Sequence, residues 1–98
     1  MVDPPAGGLY KLLIMFYTYV IYNLARKKIY IGQTSNLEKR IKRHNGILKN
    51  NVKSFTSKNS GKWKLIYNEK FKERKLALER EKQLKSYQGR KFIKNLIN

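Results

Sequence analysis

The chain has no cysteine, one histidine, two prolines and only six acidic residues among its 98. Without cysteine there are no disulfides, thiolate metal sites or thiol nucleophiles. A single histidine excludes a His-rich metal centre, and six carboxylates would hardly supply two separate metal sites. Long apolar runs are missing too. The most apolar stretch, residues 9–22, is too short to span a bilayer and is broken by Lys11. It also makes a poor signal peptide, because Asp3 stands where a positive start is expected and no small-residue cleavage site follows. The leader Met-Val-Asp-Pro-Pro-Ala-Gly-Gly reads as floppy. We therefore expect a flexible extension over residues 1–14 and one domain over 15–98.

What is abundant is positive charge. Twenty-three Lys+Arg against six Asp+Glu give +17, with a pI near 10.3. Disorder is the plainest reading of such charge, but seven Tyr, four Phe and one Trp argue against it, since disordered chains are poor in aromatics. A chain of this length buries roughly 65% of its unfolded surface, enough for one modest core. A polyanion is the natural partner, because neutralising phosphates releases counterions. DNA is favoured over RNA and no membrane partner is expected; the oligomeric state is left open, a monomer being one option. The expected location is cytoplasmic, at the nucleoid.

Residues 16–22 are all β-branched or aromatic and predict a strand. A turn at 23–27 and a second short strand at 28–32 follow. Ser35 with Glu38 forms a capping-box pattern, so a helix starts near Asn36. Leu37, Ile41, His44 and Leu48 make its core face, and it ends between Asn45 and Lys49. A polar, basic loop covers 50–62. Residues 63–71 predict a third strand in which Trp63, Leu65 and Tyr67 alternate with Lys64, Ile66 and Asn68. A second helix runs from about Glu73 to Tyr87, is stopped by Gln88-Gly89, and precedes a short helix over 91–97. The order β-β-α-β-α-α predicts an α+β fold: a small three-stranded antiparallel sheet flanked by helices, mainly on one face.

Three features point to chemistry. A four-residue hairpin loop at 23–26 would pair Tyr19 with Tyr30 across the ladder, with both side chains on one face; an ordinary aromatic pair would look the same. Glu81 lies on the seam of the second helix between Ala77 and Leu84, where a carboxylate needs a partner. That partner is either a metal or Lys85 at i+4. Glu79, roughly 200° around from Ala77, faces solvent. Arg40 and His44 are one turn apart and could reach a single phosphate, the Arg as a fork and the His as a proton acceptor. Lys39, Lys42 and Arg43 on the outer helix face, with Lys53, Lys58 and Lys62 in the loop, are candidate phosphate contacts. Trp63 reads as a core residue sooner than a base-stacking platform.

Tyr17-Thr18-Tyr19, Tyr30-Ile31-Gly32, the Asn36–Arg40 segment, His44 and the later helix around Glu81 together resemble the GIY-YIG nuclease domain, in its short standalone bacterial branch. The resemblance covers residues 16–98. The first motif departs from it, reading Tyr-Thr-Tyr in place of Gly-Ile-Tyr. The resemblance implies an endonuclease that hydrolyses phosphodiesters with one divalent ion, Mg²⁺ or Mn²⁺. Because phosphate contacts carry no sequence information, low sequence specificity, or a preference for a structure such as a flap or single strand, is expected. By position, Glu81 would bind the metal, Tyr30 would deprotonate or orient the attacking water with Tyr19 beside it, and metal and Arg charge would favour tyrosinate. Arg40 would stabilise the phosphate, His44 would assist proton transfer, and Gly32 would allow a tight backbone. The rival readings are a non-catalytic basic nucleic-acid-binding module that kept the fold, and a ribosome-associated structural protein.

Overall fold

In the computed structural model, residues 14–46, 56, 59 and 61–97 are described. Three strands, β1 (Phe16–Asn23), β2 (Lys28–Thr34) and β3 (Trp63–Phe71), form one antiparallel sheet in the order β2-β1-β3. Helix α1 (Leu37–His44) follows β2, while α2 (Arg74–Lys85) and α3 (Tyr87–Ile97) follow β3. The expected α+β order is observed.

The sheet carries a cluster on each face. Tyr19, Ile21 and Trp63 pack with Leu37 and Ile41 of α1 on one face. Val20, Ile31, Leu84 and Ile93 pack with Ile66 and Tyr67 on the other, beneath α2 and α3. The strict alternation expected for β3 fails at one point. A bulge at Val20/Ile21 sets Val20 opposite Tyr67 and Ile21 opposite Leu65, so Ile66 has no partner in the ladder. Consecutive residues Ile66 and Tyr67 therefore join the same cluster. Trp63 is 1% exposed and its indole N–H donates to the Asn59 carbonyl, which fixes it as core and removes it from base stacking.

The hairpin register also differs from expectation. Tyr19 pairs with Gly32, and Tyr30 pairs with Ile21. The loop has four residues as expected, but they are Leu24–Lys27, one position later. The cause is the Asn23 side chain: it stays in the strand, buried, and its Oδ1 accepts from Arg26 N at 3.1 Å, closing the turn.

Helix boundaries shift for similar local reasons. Asn36, not Ser35, caps α1: its Oδ1 accepts from Lys39 N at 3.1 Å, and Glu38 instead pairs with Lys42. The helix ends at His44, because the Asn45 side chain is engaged elsewhere. Asn45 bridges the backbone of Trp63, accepting from its N–H at 2.6 Å and donating to its carbonyl at 2.9 Å. Leu48 lies outside the described residues, as do Lys53, Lys58 and residues 1–13. Helix α2 ends at Ser86, whose hydroxyl donates to the Gln83 carbonyl. Gly89 does not stop a helix; it lies in the first turn of α3. A Cβ there would run into Gln83 O and the backbone of Leu84, so glycine is what lets α3 cross α2 so closely.

Candidate active site

Helix α2 is tied to the sheet before the site is reached. Thr18 donates its hydroxyl to the Ala77 carbonyl at 2.6 Å, and Arg80 bonds Glu69 of β3 at 2.6 Å. Ala77 and Leu84 are fully buried, which fixes the rotation of the helix. Glu81 lies between them, half-buried, with its carboxylate 3.4 Å from Lys85 Nζ. Glu79 is exposed, as its angle predicts.

On the other face, the register shift of two residues leaves the tyrosines together, because side chains two apart on a strand share a face. Gly32 stands directly opposite Tyr19. A Cβ on Gly32 would lie 2.7 Å from the Tyr19 hydroxyl and 3.0 Å from Tyr30 Cε1. The missing side chain is thus the space into which both rings close, with centroids 6.2 Å apart. Its role is this vacancy for the phenols, not a tight backbone turn.

Arg40 and His44 descend from α1 onto these rings. Arg40 Nε donates to the Tyr19 hydroxyl at 3.2 Å. That hydroxyl is 2.7 Å from His44 Nε2, and His44 Nδ1 is 2.9 Å from Thr56 Oγ1. The His44 ring also sits 4.8 Å from the Tyr30 ring. Proton directions follow from the inventory of groups. Arg40 is only a donor, so Tyr19 accepts from it. The directions at His44 depend on its tautomer: with the ring proton on Nδ1, Nε2 accepts from Tyr19 and Nδ1 donates to Thr56.

Burial sets the charge states of Tyr19 and His44. Burial, aided by the nearby Arg40 charge, pushes the His44 pKa down to about 4, so the ring is neutral near pH 7. Burial also pushes the Tyr19 hydroxyl up to about 12; the Arg40 hydrogen bond opposes this, and the charges of Tyr30 and Glu81 add to it. The Arg40 charge and hydrogen bond favour tyrosinate at Tyr19, as expected, but burial outweighs them. Burial works against the Arg40 charge as well, but hydrogen bonds to Tyr19 and Tyr30 outweigh it and raise its pKa above the usual value.

Tyr19, Tyr30, Arg40 and His44 are therefore gathered in one cluster. Glu81 reaches it electrostatically through its effect on Tyr19, and its partner Lys85 lines a cleft together with Tyr30. Of the expected phosphate contacts, Lys39 and Arg43 join Arg40 around a cavity of about 260 Å³ that also includes Thr34, Ser35 and Asn36. Lys42 is turned to Glu38, 3.3 Å away. Lys62 borders a separate, more apolar groove with Tyr22, Leu24 and Ile66. Thr56 was missed: it is 3% exposed, and nothing in a polar loop of Ser, Thr and Asn singles it out.

The architecture is that of a small α+β domain that gathers two phenols, a guanidinium and a neutral imidazole beside a cationic cavity. The sequence model of the GIY-YIG catalytic domain matches residues 15–95, and the chain belongs to that family, a family of endonucleases. No curated protein and no solved structure matches it. Among the described residues, no helix is long and apolar enough to cross a membrane.

Proposed function

We propose that the protein is a divalent-metal-dependent endonuclease that hydrolyses phosphodiester bonds, preferentially in DNA, with low sequence specificity. The observation that carries this reading is the run of contacts Arg40–Tyr19–His44–Thr56 with Tyr30 against the imidazole, in a chain of this family. Its features suit an attack on phosphorus.

Arg40 binds the phosphate. Its Nε is committed to Tyr19, which fixes the guanidinium plane, and its raised pKa keeps the charge where negative charge develops on the phosphoryl oxygens. Tyr30, only partly buried, orients the attacking water. Tyr19 is a positioning residue: its retained proton holds His44 Nε2 and its oxygen holds Arg40. Burial disfavours the charged form of His44, so the neutral ring holds Tyr19 in place and does not store the proton. Water oriented by Tyr30 attacks phosphorus as the bond to the leaving oxygen breaks; the water's proton passes to solvent by way of Tyr30, and the leaving oxygen takes a proton from solvent.

Glu81 is the residue that would hold the metal. Glu81 offers a hard cation one half-buried carboxylate; among the described residues no group of three His, Cys, Asp or Glu could hold an ion, so water and substrate phosphate would have to fill the other positions. Such a cation, Mg²⁺ or Mn²⁺, when bound supplies Lewis-acid polarisation of the phosphate oxygens and keeps sites for water. Lys85 now neutralises Glu81 and must give way to it.

Low specificity follows from the contacts available: Lys39, Arg43 and Arg40 meet phosphates, which carry no sequence information. A panel of duplex, single-stranded, flap and RNA substrates with Mg²⁺ and Mn²⁺, comparing the parent with Glu81→Ala, tests the proposal. Metal-dependent cleavage lost in Glu81→Ala is expected. Binding without cleavage under every condition would leave the non-catalytic module in its place.

A further inference from the structure

Beside Tyr30, the open edge of the sheet carries a cleft that the roles above do not use. Strand β2 is an edge strand. A cleft of about 450 Å³ lies between it and the junction of α2 and α3, lined by Lys27, Lys28, Tyr30, Ile31, Lys85 and Arg90, among others. Lys27, Lys28, Lys85 and Arg90 are all exposed, and among the described residues no acid lines the cleft. Arg90 is not a loose surface arginine: its Nε donates to the Lys85 carbonyl at 3.0 Å, which holds the guanidinium at the end of α2. Tyr30 forms a shared wall. It lines this cleft and also stacks 4.8 Å from His44. Arg40, another member of the cluster, is shared with the cavity of Lys39 and Arg43. The reactive side chains thus border two cationic hollows, one through Arg40 and the other through Tyr30.

We infer that the β2-edge cleft is a second substrate subsite, which grips the sugar–phosphate backbone flanking the scissile phosphate. The inference rests on the nuclease reading for what lies between the two hollows. Phosphates on one side of the cut meet Lys39 and Arg43; those on the other meet Lys28, Lys85 and Arg90. Apolar Ile29 and Ile31 line the cleft as well and offer no hydrogen bonds to base edges, so this subsite adds affinity without sequence choice.

The test is equilibrium binding of a fluorescent DNA oligonucleotide in EDTA over a salt series. Lys28→Ala/Lys85→Ala/Arg90→Ala is compared with Lys64→Ala/Lys70→Ala/Lys72→Ala, an equal loss of exposed charge on and just after the opposite edge strand. The cleft triple is expected to lose about tenfold or more in affinity, and its log K against log salt slope should flatten by about 2, at roughly 0.7–0.9 per phosphate contact. The opposite-edge triple should lose under about threefold, with its slope nearly unchanged. Equal losses in the two triples, or no loss in either, would overturn the subsite. Should circular dichroism show the cleft triple unfolded, the exposed hairpin pair Lys27→Asn/Lys28→Gln decides, with an expected flattening of about 1; an unchanged slope there counts against the proposal. Because metal is absent from these measurements, they stand apart from the nuclease reading, which fails instead on absent metal-dependent cleavage by the parent.

Discussion

Substituting Gly32 by alanine tests the packing logic of the site. The added Cβ would lie 2.7 Å from the Tyr19 hydroxyl, 2.9 Å from Tyr19 Cζ and 3.0 Å from Tyr30 Cε1. None of these atoms is the free end of a mobile chain. Tyr19 is fully buried and held by both Arg40 and His44. The ring must move by several tenths of an ångström, so this is an overpacking substitution, costing about 1–3 kcal/mol. For a domain of this length that lowers Tm by about 5–20 °C, at about 4–8 °C per kcal/mol. The displaced hydroxyl also leaves its 2.7 Å contact with His44 Nε2. Cleavage should therefore fall further than stability alone explains, at a temperature where the variant is still folded. Calorimetry and single-turnover cleavage read the two effects separately. Tyr19→Phe in the Gly32→Ala background removes the closest clashing atom, so the double variant should be more stable than the two single losses added together. Full activity and an unchanged Tm in Gly32→Ala would refute the argument, because the rings would then not need the space.

Four further outcomes follow. His44, lowered to about 4 against an unfolded value near 6.5, binds its proton more readily in the unfolded chain. Its contribution to stability is present above pH 6.5 and is lost as pH falls to 4, bounded at about 3 kcal/mol; urea midpoints at pH 7 and 4.5 should differ in the parent more than in His44→Gln. Thr56→Val removes the partner of His44 Nδ1, so the ring nitrogen shifts should show mixed tautomers, with cleavage down about tenfold and its pH profile displaced; an unaltered tautomer would deny Thr56 its positioning role. Arg40→Lys keeps a charge but loses the Nε bond to Tyr19, so at low salt DNA binding should stay within about threefold while the cleavage rate falls by more than about a hundredfold. Gly89→Ala drives a Cβ into the α2 backbone and should cost about 2 kcal/mol or more, read by thermal melting, with the hydrogen bonds at Tyr19 and His44 intact by NMR.

Most of the scaffold was legible because it is written in local chemistry. Residues 16–22 cannot easily be anything but a strand, and Ala77 to Leu84 carry the helical period. Errors fell where one side chain overrides a pattern. Asn23 keeps its place in the strand and moves the turn, Asn36 outcompetes Ser35 for the cap, and Asn45 leaves the helix to hold Trp63. The bulge at Ile66 answers to packing on both faces of the sheet, which strand periodicity does not encode. At the site, the register error was harmless because it was a shift of two, which preserves the face; a shift of one would have separated the phenols. The Lys85 contact expected for Glu81 is present. Thr56 is helical where a polar loop is expected over 50–62, and it has no signal of its own in the sequence. Gly89 was misread because a helix stop and a close helix crossing call for the same residue.

The central claim is that Glu81 holds a cation beside Tyr30, Arg40 and His44. Titrating Mn²⁺ into isotope-labelled protein and following paramagnetic broadening of side-chain resonances tests it without reference to cleavage. Broadening should reach Tyr30, Arg40 and His44 at low Mn²⁺, spare α3 residues such as Leu96, and vanish in Glu81→Gln. Broadening centred elsewhere, or unchanged in Glu81→Gln, would contradict the account.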